Sequence, residues 1–118
     1  MIKSLKKEYF HRFLMVDEKG EEIARIRVKI FKDRGHLNNY VVQLEYKLCT
    51  FFKPWKPVVR YNYCHNFVHR DIFNRKGKRI KREKFGKFKD LKDAVKMAED
   101  DLKLKFQYYI KWFVKRDE

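Results

Sequence analysis

The chain has 118 residues, of which 44% are hydrophobic and 17% aromatic, and its 31 lysines and arginines outnumber 16 acids to give a formal net charge of +15. This length predicts one domain over residues 1–118 with a modest core, and the apolar content excludes wholesale disorder. The sequence contains no apolar run long enough for a membrane helix, and the charge favours a polyanionic partner, nucleic acid first.

The first half of the chain is predicted to form three strands, because apolar and polar residues alternate with a period of two. Residues 9–16 and 22–32 are expected to pair as a hairpin around DEKG, where Gly20 suits a positive φ. In the second strand one face carries Ala24, Ile26, Val28 and Ile30, and the other carries a basic stripe of Arg25, Arg27 and Lys29. Residues 33–39 are predicted as a loop and residues 40–48 as the third strand.

The second half is predicted to add shorter strands and a long helix. Residues 53–57 contain two prolines and are expected in a loop or an edge strand, because proline cannot donate to a ladder. Residues 58–63 and 67–73 are predicted as strands, and residues 79–85 as a short basic strand or arm. From Asp90, a suitable N-cap, the apolar period becomes 3.6 and predicts a helix of roughly 25 residues.

Apolar residues cover more than half of the circumference of this predicted helix. A wide stripe contains Leu91, Ala94, Val95, Ala98, Leu102, Phe106, Tyr109, Ile110 and Phe113, and a second set contains Met97, Leu104, Tyr108 and Trp112. Either the sheet wraps the helix, or a second subunit covers the excess in a homodimer through the C-terminal helix. The elements together predict an α+β fold, an antiparallel meander of five to six strands followed by one long C-terminal helix packed on one face.

Polar side chains with catalytic potential are concentrated in residues 58–71, whose sequence is VVRYNYCHNFVHRD. We predict that His65 and Asn66 form a tight two-residue turn, because both residue types tolerate positive φ. Counting outward from this turn pairs polar residues on one face, namely Arg60 with Asp71 and Asn62 with His69. Tyr61 falls on the opposite, mostly apolar face.

This cluster has a catalytic and a structural interpretation. As a catalytic site, His69 transfers protons, Asp71 orients it or raises its pKa, and Arg60 stabilises a phosphate or phosphorane. Metal-independent RNA cleavage needs only such groups, and the further catalytic candidates are Asn62, His65 and Tyr61. As a structural feature, Arg60 and Asp71 are opposite charges across a strand pair, which stabilise a sheet by about 0.2–1 kcal/mol.

Metal and cofactor sites are not predicted. His65 and His69 are four residues apart, but the context is strand and turn rather than a helix that would co-align them, and zinc-binding CxxC pairs are absent. The sequence also lacks the motifs GxGxxG, GxxxxGK[ST] and GxSxG, which leaves nucleotide cofactors and serine hydrolysis without support. Cys49 and Cys64 are expected to be reduced thiols, and the lack of a signal peptide predicts the cytoplasm.

Basic and aromatic residues are interspersed in two segments, as in single-strand binders that stack bases on rings and follow the backbone with cations. The first segment, residues 51–57, offers Lys53, Trp55 and Lys56. The second, residues 75–89, offers Arg75, Lys76, Lys78, Arg79, Lys81, Arg82 and Lys84, in addition to the stripe on the second strand. The alternative is a solvated lysine-rich surface of the kind that thermophilic proteins carry.

The hairpin and its flanks resemble a family of small uncharacterised archaeal and bacterial proteins. The family pattern, W-x-P-V-V-R-Y-D-x-x-H-x-F-x-H-R-D, is matched by Trp55, Pro57, Arg60, Tyr61, His65, Phe67, His69, Arg70 and Asp71, with Asn62 in place of the usual acid. This resemblance implies a fold but no established activity. The RY(D/N)…H…H pattern is also similar to TumE-type toxins of toxin–antitoxin pairs, which implies RNA cleavage.

Three functions are compatible with these observations. The first is binding of RNA or single-stranded nucleic acid through lysine- and arginine-rich strands. The second is a metal-independent endoribonuclease or toxin that uses His69, Asp71 and Arg60. The third is a protein-interaction module whose charge is neutralised by an acidic partner such as an antitoxin.

Overall fold

Across residues 5–48, 55–64 and 66–115, the part of the chain that the computed structural model describes, six strands precede one helix. The elements are β1 (Leu5–Val16), β2 (Glu22–Asp33), β3 (His36–Lys47), β4 (Trp55–Cys64), β5 (Phe67–Phe73), β6 (Arg79–Gly86) and α1 (Leu91–Lys115). Each strand pairs antiparallel with the next, so the sheet has the order β1-β2-β3-β4-β5-β6. The predicted α+β meander with a C-terminal helix is confirmed.

Asx side chains build the turns that join β1 to β2 and β5 to β6. The Oδ1 atoms of Asp17 and Asn74 each accept backbone N–H bonds from the residues two and four positions further on, at 2.8–3.0 Å. Gly20 and Gly77 follow in these turns with φ of 82° and 84°, a conformation that glycine adopts without steric cost. These short, well-bonded turns set where the pairing of each hairpin starts.

The loop predicted over residues 33–39 is wrong in its extent. β2 continues to Asp33 and β3 begins at His36, which leaves Arg34 and Gly35 as the turn. Both turn residues have positive φ, 54° and 83°, and this combination matches the right-handed twist of the flanking strands. The strands can therefore pair up to the tip of the hairpin.

Residues 55–57, predicted as loop or edge, instead form the start of β4, which lies between β3 and β5. Pro57 pairs with Glu45 at the point where the register of β3 and β4 shifts after Leu44. The pairs between β4 and β5 begin at Val59, beyond the proline. A bulge tolerates the missing proline N–H, which explains why an inner strand contains it.

The helix α1 covers one face of the sheet and packs mainly on β3, with further contacts to β4 and β2. It begins where the sequence predicts, with the Asp90 carboxylate accepting a bond from the Lys92 N–H at 3.0 Å. Two fully buried alanines, Ala94 and Ala98, let the helix lie close to the strands. The core between the helix and the sheet contains Ala24, Ile26, Val28, Tyr40, Val42, Leu44, Val59, Tyr61, Leu102, Tyr109, Ile110 and Phe113.

Met97 of the second apolar set packs against the core, whereas the other three residues of that set stay exposed in the described part of the chain. Leu104 is 81% exposed, and Tyr108 and Trp112 are each more than half exposed. These residues are four apart and form a stripe on the helix surface. The homodimer expected through this helix stays a prediction.

A polar network lies between the helix and the sheet around Asp101. The carboxylate accepts hydrogen bonds from the hydroxyls of Tyr61 at 2.7 Å and Tyr109 at 2.5 Å. Arg70 donates to the Tyr109 hydroxyl at 3.1 Å and binds Glu83 at 2.6 Å. Burial, reinforced by the Asp101 carboxylate, raises the pKa of Tyr109 to about 12 and that of Tyr61 further, so both remain hydroxyl donors at neutral pH.

Removal of the Tyr61 hydroxyl tests this network. We expect Tyr61→Phe to lower the free energy of unfolding by about 1.5 kcal/mol, because the lost hydrogen bond goes to a charged acceptor. Tyr108→Phe, on the exposed stripe of α1, is the control and is expected to change the free energy of unfolding by no more than about 0.5 kcal/mol. Urea unfolding followed by circular dichroism measures both, and equal losses in the two variants would contradict the assignment.

Candidate nucleic-acid interface

The face of the sheet opposite the helix, called the open face below, carries the basic stripe of β2. Alternate β2 residues are buried on the helix side, which leaves Arg25, Arg27 and Lys29 on the open face. The register places these three residues opposite Glu45, Gln43 and Val41 of β3. The basic stripe predicted from the alternation therefore lies where the sequence indicates, next to a strand with mixed polarity.

A buried polar network connects β2, β3 and β4 on the open face. Glu45, only 4% exposed, accepts hydrogen bonds from Arg25 Nε at 2.6 Å and from Gln43 Nε2 at 2.5 Å. Gln43 Oε1 in turn accepts a bond from Arg60 Nε at 2.6 Å. Arg27 Nη1 lies 3.8 Å from Glu45 Oε2, and the Arg27 side chain is 42% exposed. The acid is thus covered, while Arg27 extends into solvent.

Asp71 is covered in a similar way on β5. Its carboxylate, in a residue 1% exposed, accepts two bonds from Arg82 at 2.7 and 2.9 Å and one from Asn62 Nδ2 at 3.1 Å. Arg79 Nη1 lies 3.9 Å from Asp71 Oδ2. Burial by itself raises the pKa of Asp71, but the hydrogen bonds from Arg82 and Asn62 and the nearby cations bring it below its ordinary value. The side chain is therefore an anion at neutral pH, held under arginines.

Aromatic rings on the open face are paired with cations. The Arg25 guanidinium lies 4.1 Å from the centroid of the Trp55 ring, and Arg60 lies 4.7 Å from that of Phe73. Similar contacts at 4.8–5.7 Å join Tyr9 to Arg27 and Lys29, and Phe67 to Lys84 and Lys87. Tyr9 and Phe13 of β1 are exposed. Rings of β1, β4 and β5 and cations of β2, β4 and β6 are therefore interspersed on this face.

A pocket of about 370 Å³ opens in the middle of this face. It is lined by Arg27, Lys29, Val41, Gln43, Arg60 and Asn62. The lining comes from β2, β3 and β4, so rigid, hydrogen-bonded strands hold its side chains.

The predicted polar cluster of the β4–β5 hairpin forms in the predicted register. Arg60 is opposite Asp71, Asn62 is opposite His69, and Asn66 has a φ of 66° in the turn. The expected cross-strand ion pair does not form within the described residues, because Asp71 is bound by Arg82 of β6 while Arg60 turns to Gln43. His69 is only 5% exposed.

The other predicted catalytic residues lie apart from this cluster or outside the described residues. Tyr61 lies on the helix side of the sheet, where it binds Asp101. His65 lies outside the described residues, as does Lys53 of the predicted binding surface.

The predicted nucleic-acid-binding residues divide between the two faces of the sheet. The open face carries Arg25, Arg27, Lys29, Trp55, Arg79, Arg82 and Lys84. Lys56 pairs with Tyr46, and Lys81 pairs with Ile72, which places both on the helix side. The exposed turn between β5 and β6 carries Arg75, Lys76 and Lys78.

Two open-face residues were not predicted from the sequence, Gln43 and Glu45. Their alternation with apolar residues suggests solvent exposure, but long arginine side chains from the neighbouring strands cover them. A signal was available in the β2–β3 hairpin, because its register sets Arg25 directly opposite Glu45.

The fold and the site together define a small α+β protein with a helix on one face of an antiparallel sheet and a basic, aromatic surface on the other. The chain belongs to the family described as Domain of unknown function (DUF7718), whose model matches residues 5–118. The expected membership of an uncharacterised family is therefore confirmed. No curated protein and no solved structure matches the chain.

Membrane-spanning helices and clusters of metal ligands are both absent from the described ranges. No helix there is both long and apolar enough to cross a membrane. No group of three or more histidine, cysteine, aspartate and glutamate side chains there could hold a metal ion.

Proposed function

We propose that the protein binds single-stranded nucleic acid, with RNA as the expected class, on the open face of its sheet. The observation that carries this proposal is the sorting of charge on that face. Glu45 and Asp71 are buried under arginines, whereas Arg27, Arg79 and Lys84 extend toward solvent. An approaching polyanion meets cations and aromatic rings first.

The geometry of the rings favours a single strand over a duplex. Exposed Tyr9 and Phe13 and the partly buried Trp55 and Phe67 belong to strands spread across the sheet. Bases can stack on such rings only when they are not stacked and paired within a duplex. The helix α1 packs on the opposite face, so it is not placed to enter a major groove from this surface.

Catalysis by the hairpin cluster has weaker support than binding. Both Asp71 oxygens already accept hydrogen bonds from Arg82 and Asn62, and Asp71 and His69 are buried. A general acid or base must reach the proton of its substrate at hydrogen-bond distance. The similarity to TumE-type toxins gives the ribonuclease alternative its basis, and we assign His69 and Asp71 to the support of the surface.

Salt-dependent binding tests the proposed function. Fluorescence anisotropy of labelled single-stranded RNA, single-stranded DNA and duplex DNA, each at several salt concentrations, gives affinity and its salt dependence. With about five phosphate contacts, we expect a log–log slope of about −3.5 for single strands. Absence of salt-sensitive binding to any of the three probes would contradict the proposal and leave an acidic protein partner as the explanation of the charge.

A cleavage assay separates binding from catalysis. We expect labelled RNA to remain intact when incubated with the folded protein in EDTA, because His69 is buried and both Asp71 oxygens are already bound by Arg82 and Asn62. The control is His69→Ala under the same conditions. Fragments that form with the unaltered protein and disappear with His69→Ala would replace the binding function by a metal-independent ribonuclease.

A further inference from the structure

The pocket in the open face has the size of a small-ligand site. Its volume of about 370 Å³ falls within the range of roughly 300–1,000 Å³ that is usual for such pockets. Val41 provides an apolar part of the lining, and Arg27, Lys29 and Arg60 provide positive charge. A ligand that suits this lining combines an anionic group with a flat or apolar group.

Arg60 is held in place before any ligand arrives. Its Nε donates to Gln43, which is itself fixed by Glu45, and its guanidinium lies over the Phe73 ring. In the described part of the chain, no hydrogen bond or ion pair engages its two terminal nitrogens. A guanidinium fixed in this way retains paired donors for a phosphate and loses little side-chain entropy on binding.

Asn62 adds a group of the opposite polarity. Its Nδ2 donates to Asp71 Oδ2, and because a carboxylate only accepts, this bond fixes which end of the amide is nitrogen. The other end, Oδ1, is buried and has no hydrogen-bond partner among the described residues. Because Asn62 lines the pocket and is itself partly exposed, a small rotation of its side chain would present this unsatisfied acceptor to a ligand donor. A phosphate dianion has none to offer, whereas the ring N–H or amino group of a nucleobase does.

We propose that this pocket holds one nucleotide, with the phosphate on Arg27, Lys29 and Arg60 and an N–H of the base on Asn62 Oδ1. The choice of a nucleotide as the ligand rests on the proposed function. The pocket adds a defined position at which one nucleotide of the bound strand turns away from its stacked neighbours. The rings of Tyr9 on one side and Phe67 on the other then receive the bases of the neighbouring nucleotides.

The experiment uses free mononucleotides. Each of AMP, CMP, GMP and UMP is titrated into ¹⁵N-labelled protein, with inorganic phosphate and ribose 5-phosphate as probes that lack a base. We expect the backbone amide signals of Val41, Gln43 and Asn62 to shift, while that of Ala98 in the buried core stays in place. Affinity should be about tenfold higher for the mononucleotides than for either probe without a base, because one additional buried hydrogen bond is formed.

Val41→Phe blocks the pocket without removing a cation. Phenylalanine suits a strand, so the sheet is retained, and we expect mononucleotide binding to be lost. The same variant should bind single-stranded RNA about tenfold more weakly with an unchanged salt slope, because the phosphate contacts outside the pocket persist. Asn62→Leu should remove the preference for mononucleotides over ribose 5-phosphate. Lys92→Glu on the helix is the control and should bind mononucleotides as the unaltered protein does.

The outcomes separate this proposal from the proposed function. The protein could bind RNA while mononucleotides cause no signal shifts at the pocket, or while Val41→Phe still binds mononucleotides normally. Either result would overturn the pocket and leave the proposed function standing. Mononucleotide binding blocked by Val41→Phe, without RNA binding, would support the pocket and overturn the proposed function. Equal affinity for inorganic phosphate and the mononucleotides would show an anion site without base recognition, against the proposal.

Discussion

Replacement of Arg27 and Lys29 together by alanine is expected to weaken binding of single-stranded RNA about 25-fold at about 0.1 M salt. Each lost phosphate contact removes about 0.7 from the salt slope of a single strand, so the slope should become less steep by about 1.4. Both residues belong to the pocket lining and to the stripe next to Tyr9. Fluorescence anisotropy over a salt series measures both quantities.

The matched control is the double replacement of Lys92 and Lys111 by alanine. These exposed lysines lie on α1, so the control also removes two positive charges, but from the side of the protein away from the open face. We expect this control to change RNA affinity less than about threefold, because screening at 0.1 M salt acts over about 10 Å. Equal losses of RNA affinity in the two double variants would show that the RNA is bound by overall positive charge and not by the open face.

Replacement of Asp71 by alanine is expected to destabilise the fold by about 3 kcal/mol. The carboxylate holds Arg82 and Asn62 together and is fully covered, and loss of one partner of a buried ion pair typically costs about 3–5 kcal/mol. We take the lower end because about a third of the Arg82 side chain is exposed. The midpoint of thermal unfolding should fall by about 10 °C, which differential scanning calorimetry measures.

The loss of stability on replacing Asp71 should depend on pH if the ionised carboxylate is its source. Because the pKa of Asp71 is lowered in the folded protein, its contribution is complete above the pKa of an unfolded aspartate, about 3.9, and is lost as the pH falls toward the folded value. The gap in stability between the unaltered protein and Asp71→Asn should therefore be constant from about pH 5 to 8 and shrink below about pH 4.

Asp100→Asn is the control for the Asp71 variants. Among the described residues Asp100 pairs with Lys96 and Lys103, both on the exposed side of the helix, and its removal should change stability by less than about 0.5 kcal/mol. A gap for Asp71→Asn that stays constant down to about pH 2 would contradict the role of the charge and indicate packing instead.

Local rules were sufficient for most of the fold. The period of two in β2 identifies which residues meet the helix, and the N-cap at Asp90 marks where the helix begins. The β4–β5 register followed from a single assumption, that Asn66 accepts a positive φ in a two-residue turn. These features depend on residues close together in the chain, where spacing determines geometry.

The details of the site depend on contacts that spacing does not encode. Asp71 binds Arg82 rather than the directly opposite Arg60, because β6 brings the Arg82 guanidinium within hydrogen-bond distance. Gln43 and Glu45 are buried by side chains rather than by a second layer of backbone. Strand periodicity describes faces, but it cannot tell which of several long side chains closes over a given acid.

The strand order also determines how this chain can fold. Every strand pairs with its neighbour in sequence, so the sheet can grow hairpin by hairpin with short loop closures. The helix is different, because it follows the last strand and must return across β2, β3 and β4. Until α1 has been synthesised, the apolar side of the sheet has no helix to cover it, and we expect the nascent chain to be most prone to aggregation at that stage.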